Sequence, residues 1–517
     1  MLKKISEQTN IGVFLTSALI LLSIVFCGII FPSSFPEITG KIQQGITDIF
    51  GFWYIGLISI VTVLYALIAI SKYGKIKLGD EHIKPRYTTF TWFSMLFCCG
   101  IGVGVVFWGV AEPMTHFMMA SPYNPTAAGN PEDYETAMKI AIFHWGINGW
   151  IGYIAIGLPM GYFAFRYKLP FTVSSTLYGL LGDKTRGPIS FIIDVISIFA
   201  TVLGVSTTLG MGLMTMSFGI EKLFGITTTN TVLAILILML IITYTISSYT
   251  GIDKGIKHLS RINIYIALIL ILFIFFTGPT RFQINLILNT AGAYFSHVFY
   301  MMFYTNPAGD YTPWMSSWTV FYWAWFLSWG PFTGGFIAKI SEGRNLRQFI
   351  AGSVMLPTIC LLVWFCVLGG SSMYYQSTGV MDIWDVIGIN YGGGIFALLD
   401  VLPFTPLTSV IALITLSLFL VTTADSATFQ TALMVTRTSH EPHVSLRIFW
   451  AALTGACSLI LLITGGLSGV QTASVVAALP LSFVVFVANI SMIRAISRYE
   501  KQNPDGSFTV LRKDEGA

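Results

Sequence analysis

The sequence predicts an all-α polytopic membrane protein with twelve transmembrane helices. Of its 517 residues, 54% are apolar and 10% are charged, whereas a soluble domain carries about 25% charged residues. Apolar runs of helical length recur along the whole chain and are separated by short polar segments. Lysine and arginine fall almost entirely in alternate polar segments, which is the asymmetry that orients a chain in a bilayer.

The predicted spans each hold enough apolar residues to cross the hydrocarbon core. Their approximate bounds are 11–31, 50–70, 89–112, 138–165, 188–214, 228–249, 262–277, 317–340, 346–370, 404–425, 445–464 and 472–496. The first run has no small-residue cleavage site after it, so we expect a span and not a signal peptide. The six cysteines all lie in apolar runs and suggest neither disulfides nor a metal site.

The distribution of basic residues supports this count. With the N-terminus inside, 24 of the 28 lysines and arginines lie in inner segments. The four basic residues of the outer segments are Lys41, Lys139, Lys222 and Arg281. A wrong number of spans would scramble the alternation, so both termini are predicted to be cytoplasmic.

Two connections are longer than turns. Residues 283–304 follow Gly278-Pro279, are moderately apolar and carry no charge, which predicts a helix at the outer interface. Residues 371–403 are polar and acidic, and we expect an outer loop with short helical pieces.

Glycine and proline interrupt two of the predicted spans. The third contains Gly100, Gly102 and Gly104, and the eighth contains Gly330-Pro331 followed by Gly334-Gly335. Interrupted spans in corresponding positions of two halves indicate the binding site of an inverted-repeat transporter. Glycines can also serve tight helix packing alone, but two matching sites beside aromatic clusters favour the transporter. The predicted units are 1–88 with two peripheral helices, 89–282 as the first five-helix repeat, 283–316 as an outer connecting helix, 317–496 as the second repeat and 497–517 as a short tail.

Aromatic residues cluster on the fourth and eighth spans, in stretches that contain no acid and no lysine. If each span is one helix, the rings of each cluster share a face of about 140° or less. Such rings can hold a quaternary ammonium without a buried carboxylate. An interfacial belt is the alternative. The residues concerned are Trp145, Trp150 and Tyr153 on one span and Tyr322, Trp325, Phe326 and Trp329 on the other.

A polar group closes the tenth span. The adjacent hydroxyls of Thr422 and Thr423, with carbonyls of a broken helix, suit a small hard cation such as sodium. Asp425 indicates either function within the membrane or a cap or helix–helix hydrogen bond. We interpret Glu112 as structural and His144 as a hydrogen-bonded helix residue.

Taken together, residues 10–496 resemble the betaine/choline/carnitine transporter family. The resemblance implies a LeuT-like fold with a five-plus-five inverted repeat, usually a homotrimer, in the bacterial inner membrane. It also implies transport of a trimethylammonium-type compound by alternating access. The motifs that carry it are Gly100-Ile101-Gly102-Val103-Gly104, Ala111-Glu112-Pro113, Phe143-His144-Trp145-Gly146, Phe321-Tyr322-Trp323-Ala324-Trp325 and Thr422-Thr423-Ala424-Asp425-Ser426.

Matching positions imply a substrate site on the third, fourth and eighth spans. Family members often have tryptophan at the position of Phe326, and phenylalanine keeps a π face but loses the indole N–H. Gly104 resembles the sodium-coupled betaine type, whereas proton-coupled choline carriers have aspartate there. The implied substrate residues are Gly100, Gly102, Gly104, Trp145, Trp150, Tyr153, Trp323, Trp325, Phe326 and Trp329.

The resemblance also implies sodium as the coupling ion, with no other cofactor. A second family sodium site uses two threonines on the fifth helix. Thr201 matches one, but Val205 stands at the other, so we expect fewer coupling ions. The implied sodium ligands are Cys98 and Ile101 through their backbone, with Phe419, Thr422 and Thr423.

We therefore predict a sodium-coupled symporter for a glycine betaine-like zwitterion, in contact with lipid and without a nucleic-acid partner. The spans offer neither a metal cluster nor a nucleophile–base pair, so we do not expect an enzyme. A sodium-independent carnitine-type exchanger stays open, as does uptake of choline, dimethylsulfoniopropionate or trimethylamine N-oxide. A passive channel is disfavoured because no continuous polar stripe lines the spans.

Overall fold

The computed structural model describes residues 9–185, 187–249, 257–436, 442–503 and 508–510, and most of them are helical. Seven described helices are long and apolar enough to cross a membrane, or nine spans if each of two bent helix pairs is one span. The chain is therefore a multi-pass membrane protein. This criterion counts fewer spans than the sequence analysis for three reasons. The sixth predicted span is a shorter apolar helix over 230–246, and the eighth changes its helical type. The last two are counted together as α19, which is kinked between them at Gly466 (φ +56°).

The helices of the first part of the chain are α1 (Ile11–Ile30), α2 (Ser34–Ile70), α3 (Thr89–Ile101), α4 (Gly104–Met118), α5 (Tyr134–Trp145), α6 (Ile147–Arg166), α7 (Tyr178–Leu181), α8 (Pro188–Phe224), α9 (Asn230–Tyr249) and α10 (Lys257–Thr277). Those of the second part are α11 (Thr280–Phe303), α12 (Thr312–Met315), α13 (Phe321–Trp329), α14 (Gly335–Lys339), α15 (Leu346–Ser377), α16 (Ile383–Ile389), α17 (Gly394–Asp400), α18 (Thr405–Met434) and α19 (Val444–Tyr499). A short antiparallel hairpin, β1 (Glu500–Gln502) and β2 (Phe508–Val510), follows α19.

The third predicted span is broken where its glycines predicted it. Helices α3 and α4 meet at an angle of 65°. Gly102 stands at the break with φ +46° and ψ −137°, a conformation that residues with a Cβ rarely adopt. Local backbone chemistry therefore positions the break.

The fourth span is interrupted as well, which the sequence analysis did not anticipate. Gly146 leaves the helical region at ψ −135°, so α5 ends at Trp145 and α6 begins at Ile147. A Cβ on Gly146 would lie 2.6 Å from the carbonyl oxygen of Ile142. The assumption that Trp145 shares one helical face with Trp150 was wrong, because the two residues lie on different helices.

The eighth span stays helical through its Gly-Pro motif. Two π-helical turns, Ser316–Val320 and Gly330–Gly334, flank α13. The second turn accommodates Pro331, so the interruption is a change of helical register and not a gap. All of α13 is buried, which places it at the centre of the molecule with α6.

The long connections differ in part from expectation. Residues 280–303 form a helix, bent by 111° from the preceding span. The segment 371–403 contains the expected short helical pieces, α16 and α17, but its first residues, up to Ser377, continue α15. Ile383, Ile387 and Phe396 in this segment are buried.

Candidate functional site

Tyr153 of α6 is the meeting point of one group of aromatic rings. Its ring centroid lies 5.0 Å from that of Phe326, 5.8 Å from that of Trp329 and 5.5 Å from that of Trp150. The contacts with Phe326 and Trp150 are edge-to-face, and that with Trp329 is stacked. These are the arrangements that aromatic quadrupoles favour. All four side chains are buried.

Trp145 joins this group from the end of α5. Its ring centroid lies 5.9 Å from that of Trp325 and 5.6 Å from that of Phe326, both edge-to-face. Trp325 in turn lies 5.9 Å from Trp329. The structure thus brings six of the seven predicted aromatic substrate residues into one buried aromatic cluster. They are Trp145, Trp150, Tyr153, Trp325, Phe326 and Trp329.

Trp323, the seventh, lies apart from the cluster. Its rings contact Phe143 at 5.2 Å and His144 at 5.9 Å, both edge-to-face. Trp323 lies two residues before Trp325 on α13. At 100° per residue, its side chain therefore points to a different side of the helix. We therefore leave it out of the proposed site.

The glycines of the broken span contact the cluster directly. A Cβ on Gly100 would lie 2.6 Å from Cη2 of Trp150. A Cβ on Gly104 would lie 2.4 Å from Cη2 of Trp145 and 3.0 Å from Cη2 of Trp325. Only a residue without a side chain lets the backbone of this break reach the rings.

Two ring donors of the cluster have no hydrogen-bond partner within the part of the chain that the structure describes. They are the indole N–H groups of Trp325 and Trp329, and both are buried. A buried donor left unpaired costs about 1–3 kcal/mol. Each can only donate, so the group that would satisfy it is an acceptor such as a carboxylate oxygen.

The hydroxyl groups of Thr422 and Thr423, on the tenth predicted span, point in different directions. Thr422 Oγ1 donates within its own helix, to the carbonyl oxygen of Leu418 at 2.9 Å or that of Phe419 at 3.1 Å. This is a common arrangement for a helical threonine. The lone pairs of its oxygen stay available to a cation.

Thr423 faces the break. Its hydroxyl is buried and has no hydrogen-bond partner among the described residues. A Cβ on Gly102 would lie 2.7 Å from this oxygen. The backbone at Cys98 and Ile101 belongs to the last turn of α3, immediately before the break. The structure thus brings the tenth span against the interrupted third span. Thr201 on α8 carries a further buried hydroxyl that has no hydrogen-bond partner among the residues the structure describes.

Glu112 has a larger role than the sequence analysis gave it. Its Oε2 accepts hydrogen bonds from Trp145 Nε1 at 2.7 Å and from the Tyr322 hydroxyl. Its Oε1 is hydrogen-bonded to His144 Nδ1 at 2.7 Å, and His144 Nε2 lies 3.1 Å from Thr319 Oγ1. Glu112 of α4 therefore fixes an aromatic-cluster ring across a helix interface. The available signal was a carboxylate within an apolar span, which indicates function by default.

Asp425 lies in a helix–helix contact. Its Oδ1 is 3.5 Å from an Arg447 guanidinium nitrogen, and both side chains are buried. Arg447 also stacks over Phe429 at 5.0 Å. Of the two interpretations of Asp425, this geometry favours the contact between α18 and α19.

Interrupted membrane helices around a buried aromatic cluster define a membrane transport protein of the broken-helix kind. The family described as BCCT, betaine/carnitine/choline family transporter, matches residues 12–501. The chain belongs to this family, whose members are transporters and not enzymes.

Individual relatives cover nearly the whole chain. The glycine betaine transporter OpuD of Bacillus subtilis is 37% identical over 97% of this chain and 96% of its own length. The ectoine/hydroxyectoine transporter of Virgibacillus pantothenticus is 36% identical, over 95% of this chain and 98% of its own length. The high-affinity choline transport protein of Escherichia coli K12 is 35% identical, over 96% of this chain and 74% of its own length.

Proposed function

We propose that this protein imports a small zwitterion of the glycine betaine type by sodium-coupled symport with alternating access. The observation that carries the proposal is the buried aromatic cluster on α5, α6 and α13, which the glycines of the broken span touch. The named transport substrates of the relatives, glycine betaine, ectoine and choline, agree with a small cationic or zwitterionic ligand.

The aromatic cluster suits the cationic end of such a ligand. A quaternary ammonium over a ring face gains about 2 kcal/mol when it is desolvated. Glu112, whose carboxylate contacts the cluster, is already hydrogen-bonded to Trp145 and Tyr322. The rings therefore supply the attraction, and no fixed charge needs to be neutralised when the site is empty.

The unpaired donors suit the anionic end. Trp325 and Trp329 each present a buried indole N–H without a partner in the described ranges. A ligand carboxylate would accept both bonds, whereas choline carries no carboxylate. The backbone at Gly104 lies against Trp145 and Trp325, and we propose that its amide groups donate to the same carboxylate. This favours a zwitterion over choline.

The proposed sodium ligands are Cys98 and Ile101 through their backbone, with Phe419, Thr422 and Thr423. The unpaired hydroxyl of Thr423 beside Gly102 supports this assignment. Sodium bound there would hold the break of the third span against α18. Ordering of the break by sodium would then favour substrate binding at the aromatic cluster, which Gly100 and Gly104 contact. This is the coupling that symport requires.

The finer architecture is part of the same proposal. We propose twelve spans with both termini cytoplasmic, in the bacterial inner membrane, and a homotrimer. We also propose the predicted division into units 1–88, 89–282, 283–316, 317–496 and 497–517, with a LeuT-like five-plus-five repeat. The break at Gly102 and the π-helical turn Gly330–Gly334 support the correspondence between the third and eighth spans.

Ligand binding to the purified protein tests the proposal. Glycine betaine, carnitine, ectoine, choline, dimethylsulfoniopropionate and trimethylamine N-oxide would each be titrated by calorimetry with sodium and with potassium. We expect one zwitterion to bind tightly in sodium and at least about tenfold more weakly in potassium. Equal binding of two related betaines in both salts would instead support the exchanger.

A variant pair makes the site assignment specific. Trp325→Ala removes a ring of the aromatic cluster, whereas Trp384→Ala removes a half-buried ring on α16 outside it. We expect the first to abolish measurable binding and the second to leave the affinity within about twofold. Unchanged affinity of Trp325→Ala would remove the aromatic cluster as the binding site.

A further inference from the structure

Beside the aromatic cluster lies a second group of side chains, Glu112, His116 and His144, which we name the His–Glu–His cluster. Glu112 and His116 are one helical turn apart on α4, and His144 comes from α5. Glu112 Oε1 lies 2.7 Å from His144 Nδ1 and 3.5 Å from His116 Nε2. One ligand atom from each residue lies within 4.8 Å of the others, and all three side chains are fully buried.

His116 is not accounted for by the rest of the fold. Neither of its ring nitrogens makes a hydrogen bond within the described part of the chain. Its ring is walled by Trp318, with centroids 4.5 Å apart, and by Trp314 at 5.4 Å. Its one polar contact among the described residues is Nε2 at 3.5 Å from Glu112 Oε1, which is an ion pair only if the imidazole is protonated, and a buried imidazole without a hydrogen bond is costly.

We propose that the His–Glu–His cluster binds one Zn²⁺ or a similar late first-row divalent cation. Two imidazoles and one carboxylate are a donor set that zinc takes in catalytic sites, with a fourth position left for water. Zinc bonds to these atoms at about 2.0–2.2 Å, so tetrahedral ligand atoms stand about 3.4 Å apart. The two separations from Glu112 Oε1, 2.7 and 3.5 Å, bracket this value, and the two histidine ligand atoms lie within 4.8 Å of each other, so metal binding requires the histidine rings to shift towards one another.

The surroundings of the ligands fit the same assignment. Thr319 Oγ1 lies 3.1 Å from His144 Nε2, so it can accept the ring N–H while Nδ1 faces the ion. Trp145 and the Tyr322 hydroxyl donate to Oε2 of Glu112, which leaves Oε1 directed at the two histidines. Imidazole nitrogen selects zinc, nickel, cobalt or copper over sodium, magnesium or calcium. The site therefore differs in kind from the proposed sodium site.

A bound ion would tie α4 to α5 next to Trp145. Alternating access requires the elements around the substrate to move, and an ion shared by two helices opposes that movement. We therefore expect micromolar Zn²⁺ to inhibit substrate uptake reversibly, with release by a chelator. The consequence follows from the metal site and does not depend on the identity of the substrate.

Metal binding to the purified full-length protein is the test. Zn²⁺ would be titrated against a chromophoric chelator for the wild type, His116→Gln and the control His297→Gln. His297 lies on α11 and is hydrogen-bonded to a carbonyl oxygen of its own helix. We expect one site in the wild type and in the control, and at least about a tenfold weaker site in His116→Gln.

Co²⁺ gives a second readout that needs no variant. A tetrahedral His–Glu–His site would give the wild type intense visible absorption that Zn²⁺ displaces stoichiometrically. Weak absorption typical of octahedral surface binding, or equal Zn²⁺ affinity in wild type and His116→Gln, would overturn the proposal. Binding of the organic substrate, measured on the same samples, shows whether each variant is folded. It also separates failure of the metal site from failure of the proposed transport function.

Discussion

Replacing Gly104 by alanine adds one methyl group where the broken span touches the aromatic cluster. The new Cβ would lie 2.4 Å from Cη2 of Trp145 and 3.0 Å from Cη2 of Trp325, whereas ordinary contact begins at 3.4 Å. The Trp145 ring must therefore retreat by about 1 Å, the difference between 3.4 and 2.4 Å. Overpacking of this kind costs about 1–3 kcal/mol. Because we propose that the ligand needs the Trp145 ring in its wild-type position, we expect this cost to fall on binding, which corresponds to about a 5- to 150-fold loss in affinity.

The assay is calorimetric titration of the purified Gly104→Ala protein with the zwitterion that binds the wild type best. Gly109→Ala is the matched control on the same helix. Its Cβ would meet Leu368 at 3.0 Å and Trp364 at 3.2 Å, and neither belongs to the aromatic cluster. We expect the control to alter thermal stability alone. Wild-type affinity for Gly104→Ala, or equal losses in both variants, would refute the assignment of the break to the substrate site.

Three further variants test other parts of the proposal. Trp329→Phe keeps a ring but removes an unpaired donor, so zwitterion affinity should fall about tenfold or more while choline affinity changes less; equal losses would contradict the carboxylate contact. Thr423→Ala should abolish the stimulation of binding by sodium, whereas Thr428→Ala, whose hydroxyl bonds within its own helix, should keep it. Glu112→Gln should weaken substrate binding about tenfold because an amide nitrogen cannot accept a hydrogen bond, so the hydrogen bonds that Trp145 and Tyr322 donate and the contact with His144 are no longer all satisfied. The exposed control Glu135→Gln should leave the affinity unchanged. Equal affinities of the two variants would show that Glu112 does not position the Trp145 ring for substrate binding.

Properties that depend on a residue and its neighbours along the chain were predictable from the sequence. Apolar composition requires a membrane protein, because so many apolar side chains have no other solvent. The break at Gly102 was predictable since positive φ is a property of the residue itself. The chemistry of the two aromatic stretches was readable from their rings and from the absence of acids and lysines between them, whereas their pairing in one site was implied by the resemblance to the family.

Gly146 marks the limit of that reasoning. A helical wheel assumes continuity, and the break between α5 and α6 moved Trp145 onto a different helix from Trp150. Trp145 still joins the aromatic cluster, but its position depends on Glu112 of α4 and on packing against α13. No local sequence pattern predicts such contacts.

The sequence by itself determined the class of protein, the glycine break and which side chains are chemically able to hold a quaternary ammonium. Only the tertiary structure decided which rings meet, that Trp323 turns away, and that Glu112, His116 and His144 come together. The physical reason is that backbone conformation and transfer from water depend on each residue and its neighbours, whereas contacts depend on the packing of helices distant in sequence.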